Sequence, residues 1–182
     1  TLLLNKYLEN IYKTRKTLLE NRIEYFLNKK VDLGDYSGIR VFGISLNNSK
    51  IIDNRKLNPE ISAKDIYIGI MPIRSFLNQK WTFKVIPKKT NIEINKDFFK
   101  KREFGNKEKE IVKNKVNYDI NFYLKEPVNF KVKDFGIGTK VKGKLIYKSN
   151  NNQIIGNINS FAKGKGNLKL KLNTKLNKDF LN

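Results

Sequence analysis

The fold is decided by the stretch Val116-Asn117-Tyr118-Asp119-Ile120-Asn121-Phe122-Tyr123-Leu124, in which apolar and polar side chains alternate. A period of two predicts a β-strand with one apolar and one polar face. The same alternation continues downstream in short stretches separated by turns at residues 150–152 and 164–166, with apolar positions at Val128, Phe130, Val132, Val141, Leu145, Tyr147, Ile154, Ile158, Leu168, Leu170 and Leu172. We therefore predict successive strands at hairpin spacing.

Strands are also predicted upstream of this stretch. Residues 39–46 are apolar on both faces of one strand, and residues 61–70 form a second that stops at Met71-Pro72. Residues 73–78 form a short helix or turn. Residues 81–85 form a third strand, followed by a turn at 87–89 and a further strand around Ile92 and Ile94. The charged residues 100–115 are predicted to be an exposed loop.

Residues 1–30 have a helical period and contain neither Gly nor Pro. The apolar positions recur at three-to-four spacing: Leu4, Tyr7, Leu8, Ile11, Leu18, Leu19, Ile23, Phe26 and Leu27. Basic residues occupy the other side: Lys6, Lys13, Lys16, Arg22 and Lys29. Two interpretations remain open. The helix packs on the protein core, or these five basic residues lie at an anionic membrane surface.

The apolar side of the sheet must be covered, and no second long helix is predicted to cover it. The sheet therefore either closes into a β-sandwich or curls into an open groove that an acyl lipid fills. In the groove interpretation one concave face is lined by Val116, Tyr118, Ile120, Phe122, Leu124, Val128, Phe130, Val132, Leu168, Leu170 and Leu172.

The composition narrows the possible chemistry. The 182 residues carry a net charge of +21 and include no Cys and no His, which excludes disulfides, thiolate nucleophiles and imidazole acid–base chemistry. We identify no catalytic constellation, metal site or cofactor motif, and we predict a non-enzymatic protein. The charge favours an anionic partner, either a membrane surface or nucleic acid. A basic nucleic-acid-binding β module is the alternative. The aromatics of the second half fall mainly on apolar rows, away from the lysines, so they are not placed to stack on bases, and no specific nucleic acid is expected.

The order of elements resembles a known family. The helix leads into Val31-Asp32-Leu33-Gly34, then Ser37-Gly38-Ile39 and a strand, and further on Asp134-Phe135-Gly136-Ile137 precedes Thr139-Lys140-Val141-Lys142-Gly143. This order is similar to the membrane-proximal part of cyanobacterial and plastid TamB-type proteins, which are AsmA-like, bridge-like lipid-transfer proteins.

The resemblance implies a helix at residues 1–30 next to a membrane and a curled, antiparallel-rich sheet at 31–182 that forms a hydrophobic groove. It implies a protein anchored in the inner membrane by a span before Thr1, facing the periplasm. Such a protein carries phospholipid or another acyl lipid between membranes and supports outer-membrane biogenesis. It would meet an outer-membrane assembly protein through parts outside this sequence.

Overall fold

The computed structural model describes residues 2–27, 29–52, 59–95, 117–135, 137–151, 153–161 and 167–175. Its first element is helix α1, Leu2–Leu27, which lies within the helix predicted for residues 1–30. The other elements are β1 Lys30–Asp32, β2 Asp35–Arg40, β3 Gly43–Ile52, β4 Ile61–Ile70, α2 Pro72–Leu77, β5 Trp81–Ile94, β6 Tyr118–Val132, a 3₁₀ turn Lys133–Phe135, β7 Ile137–Lys148, β8 Gln153–Phe161 and β9 Asn167–Lys175. The charged loop predicted for residues 100–115 lies outside the described residues.

The nine described strands belong to one sheet. Their order is β1-β3-β4-β5-β6-β7-β8-β9, and β2 also pairs with β3. Neighbouring strands are antiparallel except β5 and β6, which are parallel. The sheet is flat to slightly curved. The predicted mainly β fold, an N-terminal helix followed by an antiparallel-rich sheet, is confirmed. The curl expected of a groove is slight, and the described strands do not form the second sheet that a sandwich requires.

The predicted strand over residues 39–46 is wrong in one respect, because it contains a tight turn. β2 ends at Arg40, Val41 and Phe42 form the turn, and β3 begins at Gly43. Phe42 has φ 59°, a conformation that bulky residues rarely adopt. No Gly, Asn or Pro marks these two positions, so the apolar run concealed the hairpin.

The turn predicted at residues 87–89 is also wrong, because β5 runs unbroken from Trp81 to Ile94. Its pairing with β4 continues through Pro87, which lies opposite Ile66. Pairing with β6 is instead interrupted between Val85 and Asn91. Proline lacks the N–H that a ladder requires, and this gap on the β6 side is where such a residue is tolerated.

Few apolar side chains in the described part of the chain are fully buried. They are Tyr12, Val31, Leu46, Ala63, Ile86, Ile94 and Val128. A sheet with one helix along its edge offers little volume for a core, since no layer lies against most of its apolar positions. The fold therefore leaves much of its apolar surface accessible.

Candidate functional site

One face of the sheet carries apolar side chains in rows that run across the strands. The register aligns Ile120–Tyr147–Ile154–Thr174, Phe122–Leu145–Gly156–Leu172 and Leu124–Gly143–Ile158–Leu170. On the other side of β6, Trp81, Phe83 and Val85 pair with Tyr118, Ile120 and Phe122, and Ile70 and Ile68 pair with Phe83 and Val85 in turn. We call this surface, which extends from β4 to β9, the apolar face.

The apolar face has no covering layer among the described residues. Leu168 is 63% exposed and Leu170 48%, and every residue in the rows above except Gly156 is half-buried or exposed. The strands contact one another extensively only as neighbours within the sheet. The predicted lining residues Tyr118, Ile120, Phe122, Leu124, Leu168, Leu170 and Leu172 lie on this surface. Val116 lies outside the described residues.

Val128, Phe130 and Val132 do not simply extend the row of Tyr118–Leu124. The register of β6 shifts between Leu124 and Val128, where Lys125, Glu126 and Pro127 are exposed. Beyond the shift, Phe130 pairs with Ile92 and Val132 with Ile94. Lys89, with φ 46°, interrupts the regular alternation of β5 between Phe83 and Ile92. The pairing of β6 with β7 keeps Val128 in a row with Val141, Ser160 and Leu168, next to the row of Leu124. The register shift therefore interrupts the row along β6 without separating Val128 from the row of Leu168, and Val128 is buried at 2% exposure.

The opposite face of the sheet, which includes Ile86, Ile146 and Ile155, is mainly polar and carries paired lysines. Lys80 lies 2.8 Å from Asp119, and Lys88 lies 3.5 Å from Asp65. Two other lysines cover tyrosine rings: Lys84 over Tyr67 at 5.3 Å and Lys144 over Tyr123 at 5.2 Å. These contacts occupy the ring faces on which a nucleic-acid base would stack.

Helix α1 turns its polar side toward the protein and lies along the outer edge of β1 and β2. Glu24 accepts a hydrogen bond from the Val31 amide at 2.8 Å, and Glu20 accepts one from the Leu33 amide at 2.9 Å. Further along, the Tyr12 hydroxyl donates to the Gly34 carbonyl at 2.9 Å, and the Asn5 side chain accepts from the Ile39 amide at 3.1 Å. Edge groups that would otherwise recruit another strand are thereby satisfied.

The five basic residues predicted to lie at a membrane surface are divided by this orientation. Lys6, Lys13 and Arg22 are exposed on α1. Lys16 points inward and lies 3.1 Å from Asp32 and 3.6 Å from Glu20. Lys29 is only 10% exposed and lies 2.6 Å from Glu60. Lys16 and Lys29 therefore serve internal ion pairs in this structure and do not face a surface.

The contact between α1 and β1 changes the proton affinities of its members. Burial raises the pKa of Asp32, but hydrogen bonds from the Gly34 amide and Lys16 outweigh burial and hold that pKa below its ordinary value. Burial lowers the pKa of Lys16, but its hydrogen bond and attraction to Asp32 prevail and raise it. Burial, reinforced by the charge of Glu20, raises the pKa of the Tyr12 hydroxyl. All three shifts favour an ionised Asp32, a protonated Lys16 and a neutral Tyr12 at neutral pH, which are the forms that these contacts require.

Sequence reasoning missed the direction in which α1 faces. The apolar positions Leu4, Tyr7, Ile11 and Leu18 are exposed on the side away from the sheet. The missed signal was a row of polar side chains at near-helical spacing, which comprises Asn5, Tyr12, Lys16, Glu20 and Glu24. Such a row predicts contact with polar groups, and an uncovered sheet edge supplies them.

No protein family, curated protein or solved structure was found to match this chain. Neither described helix is both long and apolar enough to cross a membrane.

Proposed function

We propose that this chain is a non-enzymatic, lipid-carrying segment whose apolar face holds acyl chains. As the resemblance to TamB-type proteins implies, it would belong to a membrane-anchored protein that faces the periplasm. There it would move phospholipid or another acyl lipid between membranes in support of outer-membrane biogenesis. The observation that carries this proposal is the width and exposure of the apolar face, which side chains such as Leu168 and Leu170 leave open to solvent.

The dimensions of the face suit an acyl chain. The rows cross six strands, β4 to β9. Five spacings of about 4.8 Å between neighbouring strands give a width of about 24 Å. One leaflet of a bilayer has a hydrocarbon thickness of about 15 Å, half of about 30 Å. An extended acyl chain therefore fits across the face without projecting into water.

The energetics explain why a continuous apolar surface is sufficient for this function. Each methylene that leaves an apolar environment for water costs about 0.8 kcal/mol, so a sixteen-carbon chain costs roughly 12 kcal/mol. A surface that replaces the bilayer interior removes most of this barrier, and the task requires no catalytic side chain. The face also imposes no selection among acyl chains, because the rows that cross it are almost wholly apolar.

The test places a charge on the apolar face and an identical charge on the polar face of the same strand. Leu170→Asp alters the apolar face. Asn173→Asp alters the polar face of the same strand, three residues further along β9. The probe is a phosphatidylcholine with a photoactivatable acyl chain. We expect labelling of Leu170→Asp to fall about tenfold, because a carboxylate against an acyl chain costs more than about 1.4 kcal/mol. Asn173→Asp should be labelled as strongly as the parent.

Melting separates an open face from a sealed one. At an open face Leu170→Asp should melt within about 3 °C of the parent, since the carboxylate reaches water when no lipid is bound. Ile120→Asp applies the same comparison at the centre of the sheet. If both variants fail to fold and the parent takes up no label, the apolar face is a sealed core and the proposal is wrong.

A further inference from the structure

Three segments of the chain meet at one end of the sheet. The first is the N-terminus of α1, held there by Asn5, which accepts hydrogen bonds from the Tyr36 hydroxyl and the Ile39 amide. The second is the turn Val41–Phe42, and the third is the connection from β4 through α2 to β5. The Ile70 amide donates to the Phe42 carbonyl at 2.8 Å, which joins the second segment to the third.

These segments project large apolar side chains into solvent. Six of them, each more than half exposed, are Val41, Phe42, Ile73, Phe76, Leu77 and Trp81. We call this group the apolar end. Leu2 and Leu3, at the first turn of α1, are exposed beside it. A cluster this large on one end is far from the scattered apolar residues of an ordinary surface, and it marks a place of interaction.

Hydrogen bonds hold the backbone of the apolar end in place, although its exposed side chains contribute little to the stability of the fold. Helix α2 has no buried residue. It is nevertheless fixed by Ser75, whose amide donates to the Met71 carbonyl at 2.8 Å and whose hydroxyl accepts from the Thr82 amide at 2.9 Å. Phe42 keeps its left-handed φ of 59° at a turn where Gly or Asn would fit without strain. Strain of this kind clusters at functional sites.

The charges of the three segments indicate the nature of the partner. Residues 2–8, 39–42 and 70–82 contain Lys6, Arg40, Arg74 and Lys80 and no acidic residue. Lys80 is occupied by Asp119 at 2.8 Å. Apolar tips surrounded by basic residues match an anionic bilayer, in which acyl chains lie beneath negative headgroups. Trp81 stands where the apolar end meets the apolar face, and its indole suits the headgroup boundary.

We propose that the apolar end docks on an anionic bilayer, with Phe76, Leu77 and Phe42 inserted among the acyl chains. The sheet then stands with its end on the membrane, and the apolar face opens at Trp81 onto the bilayer interior. The purpose of this docking rests on the proposed lipid-carrying function, but the docking itself is measured separately. It also differs from the edge-on contact through basic residues of α1 that the sequence suggested.

Vesicle flotation tests the proposal with two matched double variants. Phe76→Ser/Leu77→Ser removes two tips of the apolar end, and Ile11→Ser/Leu18→Ser removes two exposed apolar residues from the outer side of α1. The vesicles contain phosphatidylcholine with or without phosphatidylglycerol. We expect the parent and the α1 variant to float with the anionic vesicles, and the apolar-end variant to bind at least about tenfold more weakly. Melting of both variants should match that of the parent.

Trp81 is the only tryptophan and reports on the same site. Anionic vesicles should shift its emission to the blue in the parent and not in Phe76→Ser/Leu77→Ser. Loss of flotation by the α1 variant, alone or together with the apolar-end variant, would overturn the proposal in favour of edge-on docking. Failure of the parent to float would overturn it as well.

Docking and lipid carriage fail separately in these assays. If docking is right, Phe76→Ser/Leu77→Ser loses flotation and still takes up monomeric photoactivatable lipid in the absence of vesicles. Leu170→Asp should show the opposite pattern, with flotation kept and labelling lost. Flotation abolished by Leu170→Asp would show that the face and not the end holds the vesicle, which contradicts the proposal.

Discussion

At the residue scale, two ion pairs have the same distance between their charged atoms, but one is buried and the other is exposed to solvent. Lys29 and Glu60 approach to 2.6 Å with side chains 10% and 1% exposed. Lys13 and Glu9 approach to the same 2.6 Å on the outside of α1, with side chains 67% and 35% exposed. Because water screens the second pair and not the first, burial and not distance should decide what each contributes.

The comparison is made with two isosteric substitutions. Glu60→Gln removes the carboxylate charge that lies 2.6 Å from the buried Lys29 ammonium, and we expect the free energy of unfolding to fall by about 3 kcal/mol. For a chain of this length the melting temperature then drops by about 10 °C. Glu9→Gln should cost about 0.5 kcal/mol or less. Equal losses in thermal or urea unfolding would mean that water reaches Lys29.

At the scale of elements, helix α1 acts as a cover for the sheet edge. Its carboxylates take the place of a neighbouring strand for the amides of Val31 and Leu33. Contacts of this kind stabilise the fold by satisfying polar groups and not by burying apolar area. A buried amide left without its acceptor lowers the free energy of unfolding by about 1–3 kcal/mol.

The cover is tested by removing its acceptors. Glu20→Ala/Glu24→Ala should accelerate amide hydrogen exchange at Val31 and Leu33, since both amides then open to water. Glu20→Gln/Glu24→Gln keeps a side-chain carbonyl at each position and serves as the matched control, with exchange close to that of the parent. Unchanged exchange in the alanine variant would mean that α1 does not protect this edge.

The elements themselves were largely predictable from the sequence, whereas their arrangement was not. Alternation identified strands such as Ile61–Ile70 and the row from Tyr118 to Leu124, because a period of two is a local property. The polar row from Asn5 to Glu24 indicates that this side of α1 contacts polar groups, but it does not identify them, because backbone amides have no signature in sequence. Nor could alternation reveal the register shift after Leu124, which depends on how β6 pairs with both of its neighbours.

In the candidate site, the exposure of Phe42 likewise could not be predicted from a local pattern. Its exposure depends on a turn that an apolar run concealed, and the apolar end exists only because α2 and α1 reach the same end of the sheet. The apolar face, in contrast, follows from alternation once the strands are known to be neighbours. The local sequence pattern therefore predicted the apolar face, whereas the apolar end became visible only from the tertiary contacts of the structure.

For the whole molecule, the two faces and the two edges differ in chemistry. One edge is covered by α1. Among the described strands the other edge is β9, whose exposed Lys169 and Lys171 discourage pairing with a further chain. The apolar and polar faces are separated by the thickness of one sheet. Lysines of β7 and β9, such as Lys144, Lys169 and Lys171, point away from the apolar face. Anionic polymers and acyl lipids should therefore bind at different places.

This separation predicts two binding activities that respond differently to salt. A single-stranded RNA should bind weakly and without sequence preference, and its affinity should fall steeply with salt, because each phosphate contact releases a counterion. Labelling by photoactivatable phosphatidylcholine should persist at about 0.2 M salt, because apolar burial is not screened. Excess RNA at low salt should leave lipid labelling unchanged, since the lysines of β9 and its leucines lie on opposite faces. A sequence-preferring RNA complex that survives about 0.2 M salt, or RNA that displaces the lipid, would instead favour a nucleic-acid-binding β module.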